Sequence, residues 1–173
     1  MRKITSIDLF AGVGGMRISL TKALRKLGYV DECKLYSEIN SYSQQTYNEN
    51  FPETKLIEDI KSIDKKDIDQ MIPDHDILLA GFPCQPFSRA GISKRKNLKR
   101  AYGFEDKDQG DLFFNILDIL NTKKPRAFIL ENVQNLKNHQ GGKLLNKILK
   151  ELRKNYYVPE PQVLDAQNFG LAQ

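Results

Sequence analysis

Cys84 stands between two prolines in the run Gly81-Phe82-Pro83-Cys84-Gln85-Pro86-Phe87-Ser88, directly after the apolar segment DILLA. A cysteine in so rigid a turn is badly placed to fill a core, and its thiolate is the form that attacks carbon. Six basic residues follow in residues 89–100, namely Arg89, Lys94, Arg95, Lys96, Lys99 and Arg100, with no acid among them, and they favour that thiolate. A second reactive candidate is Glu131, which ends the apolar run AFILE and is followed by Asn132. A carboxylate at the end of a buried strand beside DILLA would face the same cleft as Cys84. Partial desolvation there would favour its protonated form and suit it to donate to a ring nitrogen. Cys33 has no such setting and reads as a core residue. Without a secretory context the two cysteines read as free thiols. His75 and His139 are isolated and the cysteines lack ligand spacing, so no metal site is expected.

A third cluster is the glycine-rich stretch Asp8-Leu9-Phe10-Ala11-Gly12-Val13-Gly14-Gly15. Glycines allow positive φ and let backbone N–H groups come close to a ligand. The spacing departs from the dinucleotide fingerprint G-x-G-x-x-G, because the glycines crowd together and Ser19 takes the later slot. Asp8 would repel a phosphate, which favours a ligand carrying an ammonium group or hydroxyls. Two more acids fall where such a ligand would need them. Glu38 ends a second apolar run, the place of a ribose-binding acid, and Asp59 follows a third and could accept from an adenine amino group. Alone, each reads as a solvated strand-end acid; in register at successive strand ends, they read as a nucleoside pocket.

Positioning these groups requires strands that alternate with helices. Apolar patterning predicts strands over 4–9, 34–38, 55–58, 76–80 and 127–131, with a further one over 157–164 interrupted by Pro159 and Pro161. Helices are expected over 16–27, stopped by Gly28, over 41–50 with a serine cap, and briefly from a cap at Ser62 or Asp64 to Met71. Two more are expected over 112–121, capped by Asp111, and over 142–154. Strands that are apolar throughout, the fourth and fifth above all, imply a parallel sheet covered on both faces. Ligands bind such sheets at the carboxyl ends of the strands, where the groups above fall. With no internal repeat and no low-complexity linker, the 173 residues read as one domain.

The composition, 40% hydrophobic and 28% charged, excludes a collagen, a disordered tail and a disulfide-dense mini-protein. The net charge of +5 is local: without the six basic residues of 89–100, the chain carries 21 basic against 22 acidic groups. No apolar stretch approaches the roughly 20 residues that span a bilayer, and the apolar run at residues 7–11 is too short for a signal segment, so a cytoplasmic protein with no membrane partner is expected.

The motifs DLFAGVGG, GFPCQPFS and ENV, in this order and spacing, resemble the cytosine 5-methyltransferases that act on DNA. SEIN at Glu38, EDI at Asp59, QGDLFF from Gln109 and DAQNFGLAQ at the C-terminus extend the resemblance over essentially the whole chain. It implies a Rossmann-like, mostly parallel doubly wound α/β fold of the kind that binds S-adenosyl-L-methionine. It further implies that Cys84 is the nucleophile at carbon 6 of a flipped cytosine and that Glu131 is the acid at its nitrogen 3. Asn132, Pro83 and Ser88 would shape the pocket. Phe10, Gly12, Gly14, Gly15, Glu38, Ile39, Asp59, Ile60 and Leu112 would line the cofactor site, with Asp8 ordering the loop. Arg89, Lys94, Arg95, Lys96, Lys99 and Arg100 would contact double-stranded DNA from a mobile loop.

The resemblance also sets expectations about what the chain does not hold. An Arg-x-Arg element, a target-recognition region and a late helix belong to the family pattern beyond FGLAQ. The 173 residues are therefore expected to be a catalytic and cofactor-binding domain incomplete at its C-terminus, either cut short or one subunit of a split enzyme whose second chain supplies target recognition. Alone it is expected to have little or no activity. Two other readings stand beside this one: a tRNA cytosine 5-methyltransferase, from a related branch with similar core motifs, and a non-catalytic binding module. Ser88 and the GFPC context argue against the first, and the intact Cys84 and Glu131 against the second.

Overall fold

The computed structural model describes residues 1–83 and 111–170. Five strands, β1 (Arg2–Leu9), β2 (Tyr29–Ser37), β3 (Lys55–Ile57), β4 (Ile77–Gly81) and β5 (Ala127–Glu131), form one sheet in the order β3-β2-β1-β4-β5, with every pairing parallel. The order reverses between β1 and β4, and in doubly wound sheets ligands bind at the carboxyl edge beside such a switch. One face carries α1 (Gly15–Lys26) and α2 (Ser41–Asn50); the other carries α3 (Ile68–Met71), α4 (Asp111–Lys123), α5 (Asn135–Asn138) and α6 (Lys143–Leu152). The fold is therefore the expected doubly wound, Rossmann-like α/β sheet.

Strand β1 shows how alternation builds both layers. Ile7 and Leu9, fully buried, join the main core with Leu35, Leu78, Phe113 and Ile116. Ser6 and Asp8 point to the opposite face, toward α1 and α2: the Ser6 hydroxyl donates to Asp31 (2.7 Å) and Thr21 of α1 donates to the same carboxylate (2.9 Å). Pairing of β1 with β2 slips by one residue, Ser6 opposing Cys33 but Ile7 opposing Leu35, so Lys34 is bulged out. Beyond the bulge, Leu35 still enters the main core, and Cys33 and Tyr36, three apart, both reach Tyr47 of α2.

Several elements differ from expectation. Strand β2 begins five residues earlier than predicted, because its polar first half pairs with Arg2–Ser6 of β1. Asn40, not Ser41, caps α2: its side chain accepts from the Tyr42 and Ser43 amides, both at 3.0 Å. The segment from Ser62 to Met71 splits into short 3-10 turns and a single turn of helix, α3. Residues 157–164 form no strand. Prolines at 159 and 161 remove two ladder donors, and Tyr157 and Leu164 lie largely exposed. Strand β5, expected to be buried throughout, is half open: Phe128 and Leu130 face the core, while Ile129 is 50% exposed because the described helices of its face do not extend over this edge.

Candidate active site

The site grows from the carboxyl ends of β1, β2, β4 and β5. At the end of β1, Phe10 takes a positive φ of 55°, uncommon for a residue with a side chain and a mark of a constrained loop. Gly12 (φ 54°) and Gly14 (φ 91°) follow, and Gly14 starts α1 from the left-handed region, with Gly15 as the first helical residue. A Cβ on Gly14 would stand 2.7 Å from the Phe51 ring and 3.2 Å from that of Tyr47, so glycine is required there for space as well as for φ.

Glu38 ties this loop to the next strand end. Its Oε2 accepts from the Gly12 amide at 2.8 Å and its Oε1 from the Asn40 amide at 2.8 Å, while the Ala11 amide donates to the Ser37 carbonyl at 3.0 Å. Each carboxylate oxygen keeps a lone pair free for a ligand hydroxyl. Ile39 beside it is 74% exposed and Val13 of the loop 53%, an apolar surface next to polar acceptors, as a nucleoside needs. Asp59 caps a 3-10 turn through the Lys61 amide (2.9 Å) and uses one oxygen in doing so. Ile60 (2% exposed) and Leu112 (8%) lie in the main core, so any contact they make with a ligand is by an edge.

Beneath the loop, Asp8 is buried. The Tyr47 hydroxyl donates to its Oδ2 at 3.4 Å, and its Oδ1 has no hydrogen-bond partner among the described residues. Burial pushes this carboxyl up to about 7, although Arg17 and the Tyr47 hydrogen bond pull the other way. Arg17 donates to the Tyr47 hydroxyl (3.2 Å) and to Thr54 (2.7 Å), and its guanidinium lies 3.9 Å from the Phe51 ring centroid. Sequence reading missed Arg17 and Tyr47. The available signal was the i, i+4 spacing of Tyr47 and Phe51, which brings the ring at the C-cap of α2 beside that of Tyr47, their centroids 4.9 Å apart.

At the other wing, β4 and β5 run in register with Gly81 opposite Glu131. Oε2 of Glu131 would lie 3.4 Å from a Cβ on Gly81, and the Asn132 amide group donates to the Phe82 carbonyl at 3.1 Å. Thus Glu131, Asn132 and Pro83 meet at one edge. Glu131 is exposed among the described residues. Cys84, Ser88, Arg89, Lys94, Arg95, Lys96, Lys99 and Arg100 fall outside the described residues. Cys33 is a free, buried thiol that donates to the Leu35 carbonyl at 3.4 Å. Among the described residues no cluster of His, Cys, Asp or Glu could hold a metal ion, and no helix is long and apolar enough to cross a membrane.

A glycine loop bound by a strand-end acid, beside a second edge bearing Glu-Asn, is an arrangement that can be matched with known proteins. The family model for C-5 cytosine-specific DNA methylase covers residues 4–173. The chain belongs to that family. The type II methyltransferase M.NlaX of Neisseria lactamica is 46% identical over 167 residues, 96% of this chain and 48% of that protein. M.HpaII of Haemophilus parainfluenzae is 44% identical over 174 residues, 99% of this chain and 43% of its own length. The chain thus spans about half the length of the curated relatives it matches. Among solved structures, the methyltransferase EhMeth of Entamoeba histolytica superposes with a TM-score of 0.62 at 24% identity, over 90% of this chain and 45% of that one, a likeness that shows the fold.

Proposed function

We propose that this chain is the cofactor-binding and catalytic portion of an enzyme that methylates carbon 5 of cytosine in double-stranded DNA. The observation that supports it most is the pairing of Gly81 with Glu131 and of Asn132 with the Phe82 carbonyl, which brings the backbone leading to Cys84 beside a carboxyl group. The Glu38 carboxylate and the loop above Asp8 would hold the nucleoside and ammonium of S-adenosylmethionine, which would supply an electrophilic methyl group and leave as the neutral thioether. The Cys84 thiolate adds to carbon 6 of the base while Glu131 donates at nitrogen 3, and the resulting enamine makes carbon 5 nucleophilic enough to take the methyl group. Loss of the carbon-5 proton to solvent water then breaks the sulfur–carbon bond and returns the thiolate, and the nitrogen-3 proton goes back to Glu131. Asn132 holds the Phe82–Pro83 backbone, and Pro83 fixes its own φ in the approach to Cys84. Because carbon 6 is inaccessible in a stacked duplex, the base is flipped at a cost of a few kcal/mol. Ser88 helps shape the pocket, and Arg89, Lys94, Arg95, Lys96, Lys99 and Arg100 offset that cost through phosphate contacts that weaken with salt.

The test is incorporation of labelled methyl groups into duplex DNA and into tRNA, by the 173-residue chain alone and by the chain joined to the C-terminal portion of a relative. The expected result is labelling of DNA by the joined protein, little by the chain alone, none after Cys84→Ala, and about a 10²–10⁴-fold loss after Glu131→Gln. Unchanged labelling after Cys84→Ala would falsify the nucleophile assignment, and labelling of tRNA alone would replace the DNA substrate.

A further inference from the structure

We propose that Tyr47 is a positioning residue for the cofactor site, its hydroxyl joining the Asp8 carboxyl of β1 to the Arg17 guanidinium of α1 so that α2 and the Glu38 turn are locked to the glycine loop. This rests on the cofactor reading above and deepens it. The Tyr47 hydroxyl donates to Asp8 (3.4 Å) and accepts from Arg17 (3.2 Å), so one atom links three elements. Its ring is fully buried, stacks on Tyr36 with centroids 3.9 Å apart, and forms with Phe51 the wall against which Gly14 packs. The loop is thus held from above by Glu38 on the Gly12 amide and from beneath by Tyr47. The hub is costly as a mere stabiliser: it buries a carboxyl group with one oxygen unpartnered among the described residues, where an apolar side chain would pack without penalty. A stability cost borne directly under a ligand loop is the mark of a functional arrangement.

The groups facing Asp8 are Arg17 from α1, Tyr47 from α2, Asp31 and Cys33 from β2, and Glu38 beyond it; β4 presents Leu79. With the carboxyl pushed by burial up to about 7, a cationic ligand on the loop favours its ionised form. Affinity then rises with pH through this range and binding releases a proton.

The experiment is calorimetric binding of S-adenosylmethionine between pH 6 and 8.5, in two buffers of different protonation enthalpy. Wild type is expected to bind roughly threefold to tenfold more tightly at pH 8 than at pH 6, with proton release. Tyr47→Phe is expected to weaken binding about fivefold at pH 8 and to move the midpoint to higher pH, since the lost hydrogen bond no longer favours the ionised acid. Asp8→Asn is expected to give a flat profile. Wild-type affinity and midpoint in Tyr47→Phe overturn the inference while leaving the cofactor reading intact. Absence of wild-type binding at every pH defeats both. Circular dichroism and a cooperative melt report folding, and if Tyr47→Phe does not fold, the Asp8→Asn profile decides: flat supports the hub, wild-type-like overturns it.

Discussion

Gly14 has less freedom than any other residue of the loop, because its φ of 91° and the Phe51 ring both exclude a side chain. Gly14→Ala is therefore expected to cost about 2–3 kcal/mol. Gly12→Ala, at φ 54° but with open space around the new Cβ, is expected to cost about 1–2 kcal/mol. Urea midpoints of the two variants check the order. Asp8 sets the pH dependence of stability at the same scale. Its folded carboxyl, raised by burial from 3.8 to about 7, binds a proton more tightly than in the unfolded chain. Its contribution is thus fully present below about pH 4 and lost as the pH rises through 7. Asp8→Asn escapes that loss, so urea titrations at pH 5 and pH 8 are expected to show the variant gaining on wild type at the higher pH. An equal difference at both values would mean that Asp8 is ionised in the fold.

Among the elements, α2 carries the heaviest duty for its length, since it bears Tyr47, is followed at its C-cap by Phe51 and starts at the Glu38 turn. Its start depends on Asn40, and Asn40→Ala is expected to cost about 1 kcal/mol in a thermal or urea melt. Much of this framework was legible in the sequence. Runs such as residues 77–80 are apolar throughout because both sheet faces are covered, and Gly28 (φ 80°) ends α1 where its glycine predicted. What was not legible depended on partners distant in the chain. Asn40 and Ser41 are both good caps by residue type, and only backbone geometry chooses between them. Residues 157–164 alternate like a strand, yet pairing needs a neighbour and donors that two prolines remove. In the site, Glu38 and the glycines could be read from spacing. The Asp8–Tyr47–Arg17 hub could not, because its members lie up to 39 residues apart and meet only once β1, α1 and α2 have packed.

Over the whole molecule, every described strand points its carboxyl end to one edge, and the acids read from the sequence are spread across it rather than gathered at one point. Glu38 and Asp8 serve one wing and Glu131 the other, with the β1–β4 switch between them. Such division suits a two-substrate reaction, in which a small ligand and a large one approach from separate sides. The bulge at Lys34 bears on how this sheet can change length in evolution. Because Lys34 is skipped in the β1–β2 ladder, the strand on either side of it already alternates as though it were missing. Deleting Lys34 is expected to close the ladder with Leu35 still in the core and Tyr36 still under Tyr47, leaving the thermal midpoint within a few degrees of wild type. Deleting Tyr36 would carry off the ring on which Tyr47 stacks and is expected to unfold the domain. Strand β2 therefore contains a position where a single codon can be gained or lost without rewriting either face of the sheet.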